Sequence, residues 1–189
     1  MATWLDIVGS FIIGGIIILI LVNLNLFINS SSQENLYTNI VQESLSTTSE
    51  VLEHDFYRIG SAVSGSKIAL ADSNAIMFYG DVSDSGKIDT VYYYLGSTTQ
   101  LSATPNPNDR IMYRVANNAT PLPTTTVNEF KLVYYDSAGT ELSYAALVNA
   151  TQRDKIKSLE IYLKVESPQS VDGVYQAAEW QRKIFPKNL

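Results

Sequence analysis

The chain has 189 residues, with 13 Lys and Arg against 19 Asp and Glu, one His and no Cys. Without Cys there are no disulfides, no thiolate-bound zinc and no thiol nucleophile, and the lone His54 argues against both a His-rich metal centre and a Ser-His-Asp triad. A net charge of −6 with no basic cluster argues against nucleic acid, because phosphate neutralisation needs grouped Lys and Arg.

The apolar residues are unevenly spread. Residues 7–28, IVGSFIIGGIIILILVNLNLFI, carry no charge. As a helix this run is about 33 Å long, enough to cross the hydrocarbon core of a bilayer. A cleaved secretory signal would start with a basic region and end at a small-residue site. Here the flank is MATWLD and the run ends in Asn and Ser, so a retained anchor is expected. No Lys or Arg precedes Arg58, whereas Asp6, Glu34, Glu43, Glu50, Glu53 and Asp55 all do. The positive flank that usually marks the cytoplasmic side is therefore missing.

Beyond the anchor, Tyr37, Val41, Leu45, Thr48, Leu52, Phe56 and Ile59 fall on one stripe at helical spacing. Asn35, Asn39, Glu43, Ser46, Glu50, Glu53 and His54 lie opposite, and Glu34 and Asp55 project onto the stripe or its edge. With no Pro before residue 105, the expectation is one helix from about Ala2 to Ile59, ending at Gly60. The chain thus divides into an apolar transmembrane and assembly half of the helix at 1–32, an amphipathic half at 33–60 and an antiparallel β-domain at 61–189. Asn23, Asn25, Asn29 and Ser30–Ser32 are poor helix formers and are expected to loosen it locally.

After Gly60, short β-rich runs alternate with turn residues: 67–70, 75–79, 87–95, 110–115, 129–135, 158–166 and 175–185. Their spacing predicts an antiparallel sheet, with ATPNPNDR and NNATPLPTTT as loops. The fold class is thus α+β, a long N-terminal helix packed on an antiparallel β-sheet.

Three constellations carry chemistry. Asp6 lies at the edge of the apolar segment, where a carboxylate is either solvated among headgroups or paired. Gly9, Ser10, Gly14 and Gly15 are small residues that let helix backbones approach closely, and Gly is also simply common in membrane helices. In DVSDSGKID, the oxygens of Asp81, Ser83, Ser85 and Asp89 with the Lys87 carbonyl could surround calcium. The same residues also read as a plain turn between strands, with Gly86 at positive φ. Consecutive Tyr92–Tyr94 must alternate sides of a strand, stabilising the sheet or facing a partner. Three Asn-x-Ser/Thr matches, at Asn29, Asn118 and Asn149, are no more than a chain rich in these residues yields by chance.

An apolar N-terminal helix that continues as an amphipathic helix on an antiparallel sheet resembles the type IV pilin and type II secretion pseudopilin superfamily. In that family the mature chain begins roughly Phe-Thr-Leu-Ile-Glu. If Met1 is removed, this chain begins Ala2-Thr3-Trp4-Leu5-Asp6, matching at Thr3, Leu5 and Asp6. The β-domain, with FYGDVSDSGKIDTVYYYLG, NPNDRIMYRV and IKSLEIYLKVESP, looks most like the larger minor pseudopilins. The chain departs from the family in having Asp for Glu, no mid-helix Pro and no basic leader ending in Gly, so prepilin-peptidase processing is not expected.

The resemblance implies a pilin-like fold and a structural subunit, not an enzyme, that assembles through its N-terminal helix into a cell-surface filament or periplasmic pseudopilus. It implies that Asp6 pairs with the terminal amine of an adjacent subunit, within an assembly patch of Asp6, Gly9, Ser10, Gly14 and Gly15. The expected partners are copies of itself or related pilins, with the membrane before assembly and no nucleic acid. No cofactor is expected, calcium at residues 81–89 aside. The expected location is a single-pass membrane protein with its C-terminal domain extracytoplasmic. The rival reading is a monomeric anchored β-domain serving as a binding or assembly factor; a membrane-tethered enzyme working through Asp81, Asp84 and Asp89 is a weaker one, because these lie in a turn rather than a cleft.

Overall fold

A computed structural model describes residues 2–189, the side chain of Ala2 excepted. One helix, α1 (Ala2–Tyr57), is followed by β1 (Ile68–Ala71), β2 (Ala75–Gly80), β3 (Asp89–Leu95), β4 (Arg110–Ala116), β5 (Leu122–Val127) and β6 (Glu129–Tyr135). Two short helices, α2 (Tyr144–Leu147) and α3 (Ala150–Arg153), then lead into β7 (Ser158–Glu166) and β8 (Ala177–Ile184).

α1 is continuous for 56 residues. The expected loosening around the Asn and Ser residues is not observed. Polar side chains bond back onto the helix instead: Asn25 Nδ2 donates to the Leu21 carbonyl at 2.9 Å and Thr38 Oγ1 to that of Glu34 at 2.8 Å. The helix stops at Tyr57, two residues before the expected Ile59. There the Arg58 and Ile59 amides bond three residues back, and Gly60 turns the chain at φ +78°. The Gly60 amide then donates to the Tyr79 carbonyl at 2.8 Å, tying the helix exit to β2. Gly80 sits so close to this exit that a Cβ there would lie 2.2 Å from the Arg58 carbonyl oxygen.

Two antiparallel sheets form rather than one, a five-stranded sheet in the order β1-β2-β3-β4-β5 and a three-stranded sheet in the order β6-β7-β8. The break falls at Asn128, between β5 and β6. Its amide donates to the Lys164 carbonyl at 2.9 Å, and its Oδ1 accepts from the Glu166 amide at 2.7 Å, so one residue carries the chain across. β5 corrects the expectation of a loop at PLPTTT. As an edge strand it tolerates Pro123, which stands opposite Tyr113 where β4 and β5 slip register. The remaining strands lie within about two residues of their expected bounds.

The C-terminal half of α1 packs against the inner faces of both sheets. Val41, Leu52, Phe56 and Ile59 are buried with Phe78, Tyr93, Leu132 and Leu163 in one core. Each fully buried apolar side chain contributes about 1.5–3 kcal/mol of transfer free energy. The expected stripe is the docked face throughout: Thr48 is also buried and Tyr37 and Leu45 are half-buried, while Asn35, Asn39, Glu43, Ser46, Glu50 and His54 are exposed.

Candidate assembly helix and its flanking clusters

The apolar half of α1 stands clear of the β-domain. From Thr3 to Asn29 no residue is buried, and the large side chains Trp4, Phe11, Ile12, Leu19 and Phe27 are each more than half exposed. This helix is long and apolar enough to cross a membrane. The helix meets the domain at Ser30, whose Oγ donates to Asp172 at 2.9 Å, and the Tyr37 hydroxyl donates to Gln169 at 3.0 Å. Both partners lie in the loop between β7 and β8, whose tip, Asp172–Gly173, turns at positive φ. That loop therefore marks where the helix emerges.

Asp6, Ser10 and Gly14 are spaced four apart and share one face of the helix. The Ser10 hydroxyl donates to the Asp6 carbonyl at 2.7 Å, which spends the hydroxyl locally and leaves the Asp6 carboxylate outward. A Cβ added at Gly9, Gly14 or Gly15 would meet nothing within 4 Å. These positions are open to another helix. The structure thus brings the expected assembly residues to one exposed stretch. Met1, on which the expected removal and the position of the amine depend, lies outside the described residues.

The loop 81–88 between β2 and β3 gathers the other expected cluster. Gly86 takes φ +74°, as its turn reading requires, and Asp84 is also left-handed at φ +53°. Asp81 accepts from the Ser85 and Gly86 amides at 2.9 and 2.8 Å. Asp89 accepts from the Ser83 amide and hydroxyl at 3.1 and 2.8 Å and from Asn117 Nδ2 at 2.8 Å. Each carboxylate oxygen of both acids thus accepts a bond from the chain itself, and these bonds hold the turn. Asp89 is held below the ordinary aspartate range, chiefly by Asn117 and then by Ser83. Asp84 points away and pairs with Arg58, fastening the loop to the end of α1.

One cluster escapes sequence reasoning. Asp55, 2% exposed, sits under the last turn of α1. Its carboxylate accepts from the Tyr93 hydroxyl and from Arg114 Nε, both at 2.7 Å, while His54 Nδ1 lies 3.1 Å away at the surface. Burial and the neighbouring Asp55 charge push the Tyr93 phenol well above its usual range. Arg114 stands opposite Tyr93 in the β3–β4 ladder, so a single cross-strand pair receives the helix acid. The only advance signal was an Asp interrupting an otherwise apolar stripe. Glu53, on the expected wet face, is half-buried and pairs with Arg182 of β8.

Among the described residues, no group of three or more His, Asp or Glu gathers in a way that could hold a metal ion. Comparison with family models, with curated proteins and with solved structures gives no match.

Proposed function

We propose that this chain is a pilin-like structural subunit, anchored by a single membrane span and assembling through its N-terminal helix into a cell-surface filament or pseudopilus. The observation that carries the reading is the division of one unbroken helix. Its C-terminal half is the spine of the β-domain, and its N-terminal half, uncharged from residue 7 to residue 28, projects from the domain with every residue from Thr3 to Asn29 accessible. So much exposed apolar surface is not stable in water and needs lipid or other helices around it.

Both environments are apolar, so the hydrophobic effect does not choose between them. Close packing and polar pairing do. Gly9, Gly14 and Gly15 allow close approach of helix backbones, and Asp6 supplies the polar partner. In a bundle an unpaired carboxylate is costly, and the chain has no Lys or Arg before Arg58. The resemblance to pilins supplies the cation for Asp6 in this reading, the N-terminal amine of a neighbouring subunit. The β-domain lies extracytoplasmic and decorates the outside of the assembly, and the reading requires no catalysis and no cofactor.

Electron microscopy of material sheared from the surface of cells expressing the chain, with mass spectrometry of its composition, tests this. Filaments containing the chain are the expected result. A chain that stays wholly in the membrane as monomers would favour an anchored binding or assembly factor.

A further inference from the structure

The loop between β7 and β8 is where the β-domain comes closest to the apolar run of α1. β7 and β8 lie along α1, so that Arg182 of β8 meets Glu53 near the far end of the helix while Asp172, at the tip of the loop, meets Ser30. Ser30 stands two residues beyond Ile28, the last of the uncharged run, or about 3 Å along the helix axis. The tip is a closed two-residue hairpin. Val171 and Val174 each donate an amide to the other's carbonyl at 2.9 Å. Asp172 and Gly173 between them are left-handed at φ +52° and +80°, the conformation of a type I′ turn. Val171 is buried, whereas Val174 stands 61% exposed. The tip carries one charge, that of Asp172, and this carboxylate accepts from Ser30 Oγ. The loop 81–88, fastened to Arg58 at the other end of the helix, carries Asp81, Asp84 and Lys87 instead.

We propose that this tip rests on the membrane, with Val174 among the lipid headgroups, so that the β-domain touches the bilayer at a second point beside its own helix. Distance commits the tip to lipid. With residues 7–28 in the hydrocarbon core, the headgroup layer takes up the next stretch of about 5–7 Å, and Ser30 fastens the tip to the helix within it. The Tyr37 hydroxyl, two turns further along, holds Gln169 of the same loop, so the hairpin cannot swing away without breaking both bonds. The chemistry of the tip suits that layer, where apolar and polar groups meet. Val174 is withdrawn from water, while Ser170 and Asp172 stay hydrated beside it. The turn is already closed, so contact with lipid orders nothing further in the chain. Its effect is to fix the tilt of the domain over the membrane, which a single helix leaves free. The inference rests on the membrane span in the proposed function and does not depend on assembly.

The absence of Cys allows a direct test in the full-length chain, reconstituted in phosphatidylcholine vesicles at a low ratio of protein to lipid. Val174→Cys, Ser85→Cys and Ile17→Cys are each labelled with a nitrobenzoxadiazole fluorophore. The vesicles carry a nitroxide either on the lipid headgroup or near the end of the acyl chain. The Val174 label is expected to lose most of its fluorescence to the headgroup nitroxide and little to the chain-end one. The Ile17 label should show the reverse order, and the Ser85 label, at the far end of the domain, should keep its fluorescence with both. A Val174 label quenched no more than the Ser85 label, with Ile17 quenched, overturns the inference and leaves the span standing. A blue-shifted but unquenched Val174 label would put protein rather than lipid on the tip and overturns it equally. An Ile17 label that neither nitroxide reaches removes the span, and the inference with it.

Discussion

Replacing Arg114 by Met strips the buried Asp55 carboxylate of its only Arg partner, and replacing Asp55 by Ala does the reverse; the two changes should differ in cost. The Asp55 side chain is 3% exposed and that of Arg114 is 23% exposed. With Arg114 gone, Asp55 keeps the Tyr93 hydroxyl and the exposed His54 ring but is left as a buried anion, a loss of about 3–5 kcal/mol. With Asp55 gone, the guanidinium can turn toward water. The main penalty is then the buried Tyr93 hydroxyl that loses its acceptor, about 1–3 kcal/mol. Replacing both, as Asp55→Leu with Arg114→Met, removes the desolvated charges together and should recover much of the loss. Unfolding of the β-domain in the full-length chain, followed by amide exchange along residues 41–57, measures all three. Equal costs for the two single changes, or a larger cost for Asp55→Ala, would refute the argument that burial of the acid sets the energetics.

Phe56→Ala should destabilise by about 3–5 kcal/mol, because the ring is fully buried with edge contacts to Phe78 and Tyr93, each at 5.6 Å; a loss below about 1 kcal/mol in the same unfolding experiment would mean that the helix is not docked there. Gly80→Ala should cost more than Gly86→Ala, since the first drives a methyl into the Arg58 carbonyl whereas the second meets open space and bears only the left-handed penalty of about 1–2 kcal/mol. Asp89 should titrate below the ordinary value of 3.8 in a carboxyl carbon NMR titration. Because its folded pKa is lowered, its stabilisation is present above the unfolded value and is lost as pH falls through the lower folded one. Asn117→Ala should move that titration upward, and no movement would show that Asn117 is not the main cause.

The helix was legible because its information is local: Val41, Leu45, Leu52, Phe56 and Ile59 recur at helical spacing and lie on the docked face. Asp55 read only as a flaw in that pattern, since its partners Tyr93 and Arg114 lie 38 and 59 residues further on and no local period connects them. β5 was hidden by Pro121 and Pro123, which mark loops except at a sheet edge, and edge status depends on the whole pairing order. The division into two sheets falls at Asn128, whose neighbours in sequence give no sign of a crossing. In the loop 81–88 the residue types suited both an ion and a turn. The donors that occupy Asp89 include Asn117, from the far end of β4, and sequence spacing could not supply it. Alternation alone puts Tyr92 and Tyr94 on one side of β3, but their neighbours Met77, Val115 and Tyr113 come from a register that no local pattern supplies.

The central claim is that the projecting half of α1 drives assembly through Asp6. The most direct measurement is filament yield by electron microscopy for wild type, Asp6→Ala and Asp6→Lys, with membrane fractionation and N-terminal mass analysis on the same cells. Both variants should insert and fold their β-domains normally. Asp6→Ala should abolish or sharply reduce filaments, because removing one partner of a buried pair costs about 3–5 kcal/mol at each subunit contact. Asp6→Lys should be worse, since it sets two positive charges together. Wild-type filament yield from both variants would contradict the claim and leave α1 as an anchor without a pairing role for Asp6.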